Sequence, residues 1–222
     1  MNKPNILFCC FAIFLFLLSV EAKQNDEVNL NILPEWGVSS LDLPTEVFFK
    51  KNPDFHIIMK GKSNDSLAIN NKPNDFWEVS LCYIKHNKID AIVFCFVDKK
   101  LKTKSKSIIV LYHLLQTLGD NFNLSITRLD SVIGKNTLGY SFYWKKNDAN
   151  ILLKIGPFEY LQEDNFQLQL TIFSKDEKSP FIPHKFASGK SKNLIIRKIL
   201  NNYRECCPQK RELQYLEEKM NQ

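Results

Sequence analysis

The sequence predicts an α+β protein built from antiparallel β-sheet hairpins with flanking helices. Three observations carry that expectation. Residues 76–83 (FWEVSLCY) and 89–97 (IDAIVFCFV) are rich in β-branched and aromatic side chains and flank the polar stretch Lys85-His86-Asn87-Lys88, the signature of a hairpin. Phe166, Leu168, Leu170 and Ile172 alternate with Gln167, Gln169 and Thr171, the period of a strand with one face on a core. Ile108, Leu111, Leu115 and Leu118 recur at helical spacing between these two regions.

The chain opens on an export signal. Lys3 supplies the positive start, Ile6 to Val20 runs without a charge, and Val20-Glu21-Ala22 places small residues where a signal peptidase reads. The apolar run is shorter than the roughly 20 residues a membrane-spanning helix needs, so residues 1–22 are read as a cleaved leader ending near Ala22. The mature chain is expected to be secreted or periplasmic, with no transmembrane segment. Losing Lys3 and Glu21 together leaves the formal net charge at +6, which favours anionic partners generically.

Residues 23–35 read as a loose N-terminal segment. A short helix follows, with Ser40 as its cap, Pro44 near its first turn and Asn52-Pro53 as its stop. Residues 60–75 are dense in Gly, Asn, Asp, Ser and Pro and read as a loop. In the hairpin, Trp77, Val79, Leu81 and Tyr83 are expected on one face with Ile92, Phe94 and Phe96. The opposite face then takes Ala91, Val93, Cys95 and Val97, so the second strand is apolar on both sides and belongs in the middle of its sheet.

Lys99, Lys100, Lys102, Lys104 and Lys106 mark residues 99–106 as a basic connector, and a helix is expected from Ser107 to Leu118, ended by Gly119-Asp120. A second β region follows, with strands at 139–145, 151–158 and 166–173 around a turn at Lys146-Asn147-Asp148-Ala149. Residues 175–190 form a loop stiffened by Pro180 and Pro183. Helices at 191–205, with Leu194, Ile195, Ile199, Leu200 and Tyr203 inward, and from Gln209, with Leu213, Leu216 and Met220, close the chain. The order suggests two similar α+β units, 36–98 and 107–174, followed by a loop and C-terminal helices over 175–222 that pack on the sheet.

Of the six cysteines, Cys82, Cys95, Cys206 and Cys207 survive removal of the leader. An oxidising compartment makes all of them disulfide candidates, in any of three pairings, and the expected alternation puts Cys82 and Cys95 on one face. Buried free thiols are the alternative. No CxxC or nearby His gives them the spacing of a metal site, and no metal or other cofactor is expected.

Neither a phosphate-cradling glycine loop nor a GxSxG elbow nor HExxH occurs, and His56, His86, His113 and His184 stand apart in sequence. Two candidate binding features remain. Phe181, His184 and Phe186 sit in the proline-stiffened loop, as a recognition tip or as rings tucked over the core. The lysine run 99–106 has charge for an anionic surface, but it lacks the interleaved aromatics and Arg that nucleic-acid binding favours. The expected function is therefore an exported, non-enzymatic binding protein with a protein or cell-envelope partner. The alternatives are a secreted hydrolase whose site, centred on Cys95 or a His, assembles only in three dimensions, and a peripheral membrane-surface protein using its lysines.

Overall fold

A computed structural model describes residues 32, 37, 39–61, 65–71, 73, 76–128, 138–156, 165–176, 179–206 and 211–220. The leader, most of the N-terminal segment and Cys207 lie outside the described residues. Helix α1 spans Thr45–Lys51 and leads into β1 (His56–Lys60), β2 (Ser66–Asn70), β3 (Val79–Lys85) and β4 (Lys88–Lys99). Helix α2 (Lys100–Leu118) then leads into β5 (Asn123–Arg128), β6 (Leu138–Lys145), β7 (Asn150–Gly156) and β8 (Asn165–Phe173). Helices α3 (Lys190–Cys206) and α4 (Arg211–Met220) follow.

The strands form one eight-stranded antiparallel sheet in the order β1-β2-β3-β4-β8-β7-β6-β5. The chain thus repeats a helix followed by a four-stranded meander, and the two meanders meet at the β4–β8 pair as halves of a shared sheet. The expected α+β class is borne out, as is the central place of β4.

Several elements differ from expectation. β2 lies within the stretch read as loop: Ala68 and Asn70 are buried while Leu67 and Ile69 are half-buried, a period-2 pattern hidden by its polar neighbours. β1 and β5 were not anticipated either. The lysine-rich connector is instead the first two turns of α2, because lysine is a good helix former and nothing between 99 and 107 breaks a helix. Helix α1 has Pro44, not Ser40, at its N-cap position, and no side-chain cap hydrogen bond.

The facing of the first hairpin is the main correction. His86 and Asn87 both take positive φ, 51° and 61°, which makes a two-residue turn of the type that matches strand twist. From that turn Ile84 pairs with Ile89, but Tyr83 pairs with Ala91, so Asp90 is an inserted residue, a β-bulge. One inserted residue inverts every later facing. Val79, Leu81 and Tyr83 therefore share a face with Ala91, Val93 and Cys95, while Ser80, Cys82 and Ile84 go with Ile92, Phe94 and Phe96. Cys82 and Cys95 consequently stand on opposite faces of the sheet and are both free thiols, so they do not form the disulfide considered from sequence.

Helix α2 packs on the face carrying Ile92, Phe94, Leu168, Leu170, Ile172 and Leu153, all fully buried, and α3 and α4 pack against α2 and each other. From α2, Ile108, Val110, Leu111 and Leu115 enter this core, ending at Gly119, whose positive φ of 83° and N–H to Leu115 O close the helix. From α3 come Ile195, Ile196, Ile199, Leu200 and Tyr203, and from α4 Leu213, Leu216 and Met220. Leu194, expected inward, is instead 57% exposed, one helical step off the buried stripe. Trp77 and Trp144 anchor this layer: both rings are buried, with the indole N–H donated to Ile32 O at 3.1 Å and to Gly119 O at 2.9 Å respectively.

Candidate functional site

The helices leave the second face of the sheet to be covered by something else. Part of that face is closed by the loop after β8, which crosses it as a strap. The Phe181 ring meets Tyr83 edge-on at 5.3 Å and Phe173 at 5.5 Å, and Phe186 stacks on Tyr143 at 5.6 Å. Ile182 joins them over Ala91, Leu152 and Phe173. The strap ends at the outer edge of the sheet. There the Ser125 hydroxyl donates to Lys185 O, and the Ala187 N–H donates to Leu124 O, both at 2.7 Å.

Phe181 and Phe186 are thus brought together over the sheet, tucked onto Tyr83, Phe173 and Tyr143 rather than held out as a tip. Phe186 keeps 37% of its surface exposed, and His184 lies exposed between them. Lys106 is held apart from the strap, on the helical face. Its ammonium sits 3.6 Å from the centroid of the Phe96 ring and 5.0 Å from that of Phe76, within reach of Phe76 O. The side chains of Lys99, Lys100, Lys102 and Lys104 lie outside the described set, as does that of Cys206.

Beyond the strap the sheet offers a different surface. Val79 of β3 pairs with Cys95 of β4, Cys95 with Gln169 of β8, Gln169 with Lys154 of β7, and Lys154 with Ser141 of β6. Side chains of paired residues share a face, so these form a continuous row. The adjacent row begins Ile69, Leu81 and Val93. Leu67, Ile69, Val79, Leu81, Tyr83, Cys95, Gln169 and Lys154 are all half-buried. The result is an apolar half-face on β2–β4 bordered by a polar line on β8 and β7.

Lys154 is the chemical centre of this surface. Burial holds its ammonium below the usual lysine pKa, and no carboxylate partners it among the described residues. A cation in that state attracts an anion more strongly than a fully hydrated one. Sequence reasoning passed over Lys154, and also over Leu67 and Ile69. The signal available for Lys154 was its position as the lone charge inside an otherwise apolar strand, ILLKIG.

The two described thiols are poor nucleophiles. Burial pushes the Cys95 thiol up to about 11, against a smaller lowering from the Gln169 hydrogen bond, and pushes Cys82 up to about 12. The histidines lie in four separate places: His56 on the edge strand, His86 in the hairpin turn, His113 on α2 and His184 in the strap. His86 Nδ1 stands 4.0 Å from Asp65 Oδ1, beyond hydrogen-bond reach and exposed. Among the described residues, no group of His, Cys, Asp and Glu has the arrangement of a metal site, and no helix is long and apolar enough to cross a membrane.

No family model matches this chain, and no curated protein or solved structure matches it either.

Proposed function

We propose that this chain is an exported, non-enzymatic binding protein that holds an acidic polypeptide partner against the open part of its sheet. The observation that carries this reading is the half-buried Lys154 ammonium, with no carboxylate partner among the described residues, set against an apolar half-face. A partner with aliphatic side chains and a nearby Asp or Glu would fill both: Leu67, Ile69, Val79 and Leu81 supply contact area, and Lys154 supplies charge and orientation. The net charge of +6 adds long-range attraction for the same class of partner.

The hydrolase reading draws less support, because both described thiols are held protonated and the histidines are dispersed. The membrane-surface reading loses Lys106, whose ammonium lies over the Phe96 ring.

The test uses defined peptides of alternating aliphatic and acidic residues, with a basic peptide of the same apolar content as control. The acidic set is expected to raise the unfolding temperature of the mature protein and to shift the amide signals of β2, β3 and β7. Lys154→Glu is expected to abolish both effects without unfolding the sheet. Equal binding of the basic control, or undiminished binding by Lys154→Glu, refutes the reading.

A further inference from the structure

Asn123-Leu124-Ser125 carries the Asn-X-Ser pattern at which an oligosaccharide is attached to exported chains. The fold places it at the start of β5, the outer strand of the sheet, just past the exposed bend Asp120-Asn121. The Asn123 side chain is exposed, and its amide has no hydrogen-bond partner among the described residues. Its neighbours along the chain turn inward: Phe122 and Leu124 are buried, and the Lys192 ammonium lies 4.6 Å from the centroid of the Phe122 ring. A sugar chain on Asn123 therefore leaves the outer edge toward solvent, with no buried side chain to displace. The pattern recurs at Asn64-Asp65-Ser66, where Asn64 lies outside the described residues.

We infer that Asn123 is an N-glycosylation site, modified while the chain is still unfolded and then sealed by the strap. In the transfer, the Asn123 amide nitrogen bonds to the anomeric carbon of an oligosaccharide carried on a lipid pyrophosphate. The anomeric carbon–oxygen bond breaks, the lipid pyrophosphate leaves with the bonding electron pair, and the amide gives up one proton to a base of the transferase. Recognition needs the hydroxyl two residues beyond the acceptor. In the folded protein that hydroxyl is occupied: Ser125 is 7% exposed and donates to Lys185 O at 2.7 Å. The backbone is occupied as well. β5 pairs with β6 along one edge, and on the other Leu124 O accepts the Ala187 N–H. The finished fold thus leaves the acceptor amide open and the recognition hydroxyl closed.

Chain order supplies the interval in which both are open. Lys185 follows Ser125 by 60 residues. At a synthesis rate of about 5–20 residues per second, the strap arrives roughly 3–12 s after the acceptor. β6, which sets Tyr143 opposite Asn123, also follows. Transfer in that window leaves Ser125 free to take up its bond to Lys185 afterwards. The glycan then stands at the outer edge of the sheet, where Ile126 is 40% exposed, and adds a hydrated cover to a strand that the strap meets at Leu124. The inference rests on export, as the proposed function does, but not on Lys154 or the open face.

Translation of the full chain, leader included, with endoplasmic-reticulum microsomes tests it. The expected product has lost its leader, is sheltered from added protease, and is slowed in electrophoresis by a modification that peptide N-glycosidase removes. Asn123→Gln and Ser125→Ala are each expected to remove one such modification, Ser125→Thr to keep it, and Asn64→Gln to leave it in place. The folded mature chain, offered to detergent-solubilised microsomes with the lipid-linked oligosaccharide, is expected to stay unmodified at Asn123, whereas a peptide spanning residues 119–128 is modified. A chain left open to protease overturns the export reading and this inference together. A sheltered, processed chain with no glycosidase-sensitive form, or one in which Asn123→Gln removes no modification, overturns the glycan assignment alone. Equal transfer to the folded chain and to the peptide overturns the sealing by the strap.

Discussion

Ser174 holds Asp90 twice: its backbone N–H donates to Asp90 O and its hydroxyl donates to Asp90 Oδ1, each at 3.0 Å. Asp90 is the bulged residue of β4 and Ser174 is the first residue past β8, so the pair fixes the bulge against the neighbouring strand. The bulge that this pair braces sets which side chains of β3 meet the helices and which form the open face. Ser174→Ala is expected to cost about 1 kcal/mol, seen as a fall in unfolding temperature of roughly 2–4 °C for a chain of this size. An unchanged melting curve would show that the backbone bond alone holds the bulge.

Lys154→Met is expected to raise stability while removing partner binding. The ammonium is half-buried with no carboxylate partner among the described residues, so an apolar chain of similar length relieves a desolvation cost. A gain of about 1 kcal/mol corresponds to roughly 2–4 °C in unfolding temperature. A stability gain bought at the cost of function is the mark of a group retained for binding. A destabilised Lys154→Met would instead assign the lysine a structural role.

The thiols should be distinguishable by alkylation of native protein near pH 8. With its thiol near 11 instead of its ordinary value of 9.0, Cys95 is expected to react about a hundredfold more slowly than a free thiol. Cys82, fully buried and near 12, is expected to react only after unfolding. Mass spectrometry of non-reduced native protein should show no Cys82–Cys95 disulfide. Finding one would contradict the facing set by the Asp90 bulge.

Stability should fall on mild acidification through His113. Burial lowers the His113 pKa below its ordinary 6.5, an effect that Glu212 opposes, and its ring lies against Tyr112 at 5.1 Å. The unfolded state then binds a proton more readily than the folded one, so the contribution is intact above about 6.5 and is lost as the pH falls below it. Urea unfolding at pH 7.5 and 5.5 is expected to show a smaller difference for His113→Gln than for the unaltered protein. Equal differences would place the acid sensitivity elsewhere.

The hairpin turn is open to improvement. His86 and Asn87 occupy the left-handed region at both central positions, where Asn-Gly is the favoured pair. Replacing His86→Asn together with Asn87→Gly is expected to stabilise by about 1 kcal/mol, read from urea unfolding. The Asp65 contact survives because it is made by the backbone N–H of residue 86.

Long, strongly patterned elements were legible in the sequence: β4, α2 beyond Ser107, β8 and the buried stripe of α4 all stand where their periodicity puts them. β1, β2 and β5 were missed because each is short and sits beside Asn, Asp and Pro, whose turn chemistry dominates any local reading. The facing of β3 was misread for another reason. Alternation carries no sign of an inserted residue, and the bond that holds Asp90 comes from Ser174, distant in the chain. For the same reason the open face could not be assembled from sequence. Its apolar half comes from β2 and β3, and its cation from β7 in the other half of the sheet.

Every strand pair but one joins neighbours in sequence, and that one is β4 with β8. As the chain is synthesised, the first meander can form by local zipping, yet its last strand must wait for all of the second. During that interval Ala91, Ile92, Val93 and Phe94, buried on both faces in the finished sheet, line a bare sticky rim. The hazard of aggregation therefore belongs to the nascent molecule more than to the mature one. A chain ending at Leu118 should be insoluble, whereas one extended through Phe173 closes its own seam.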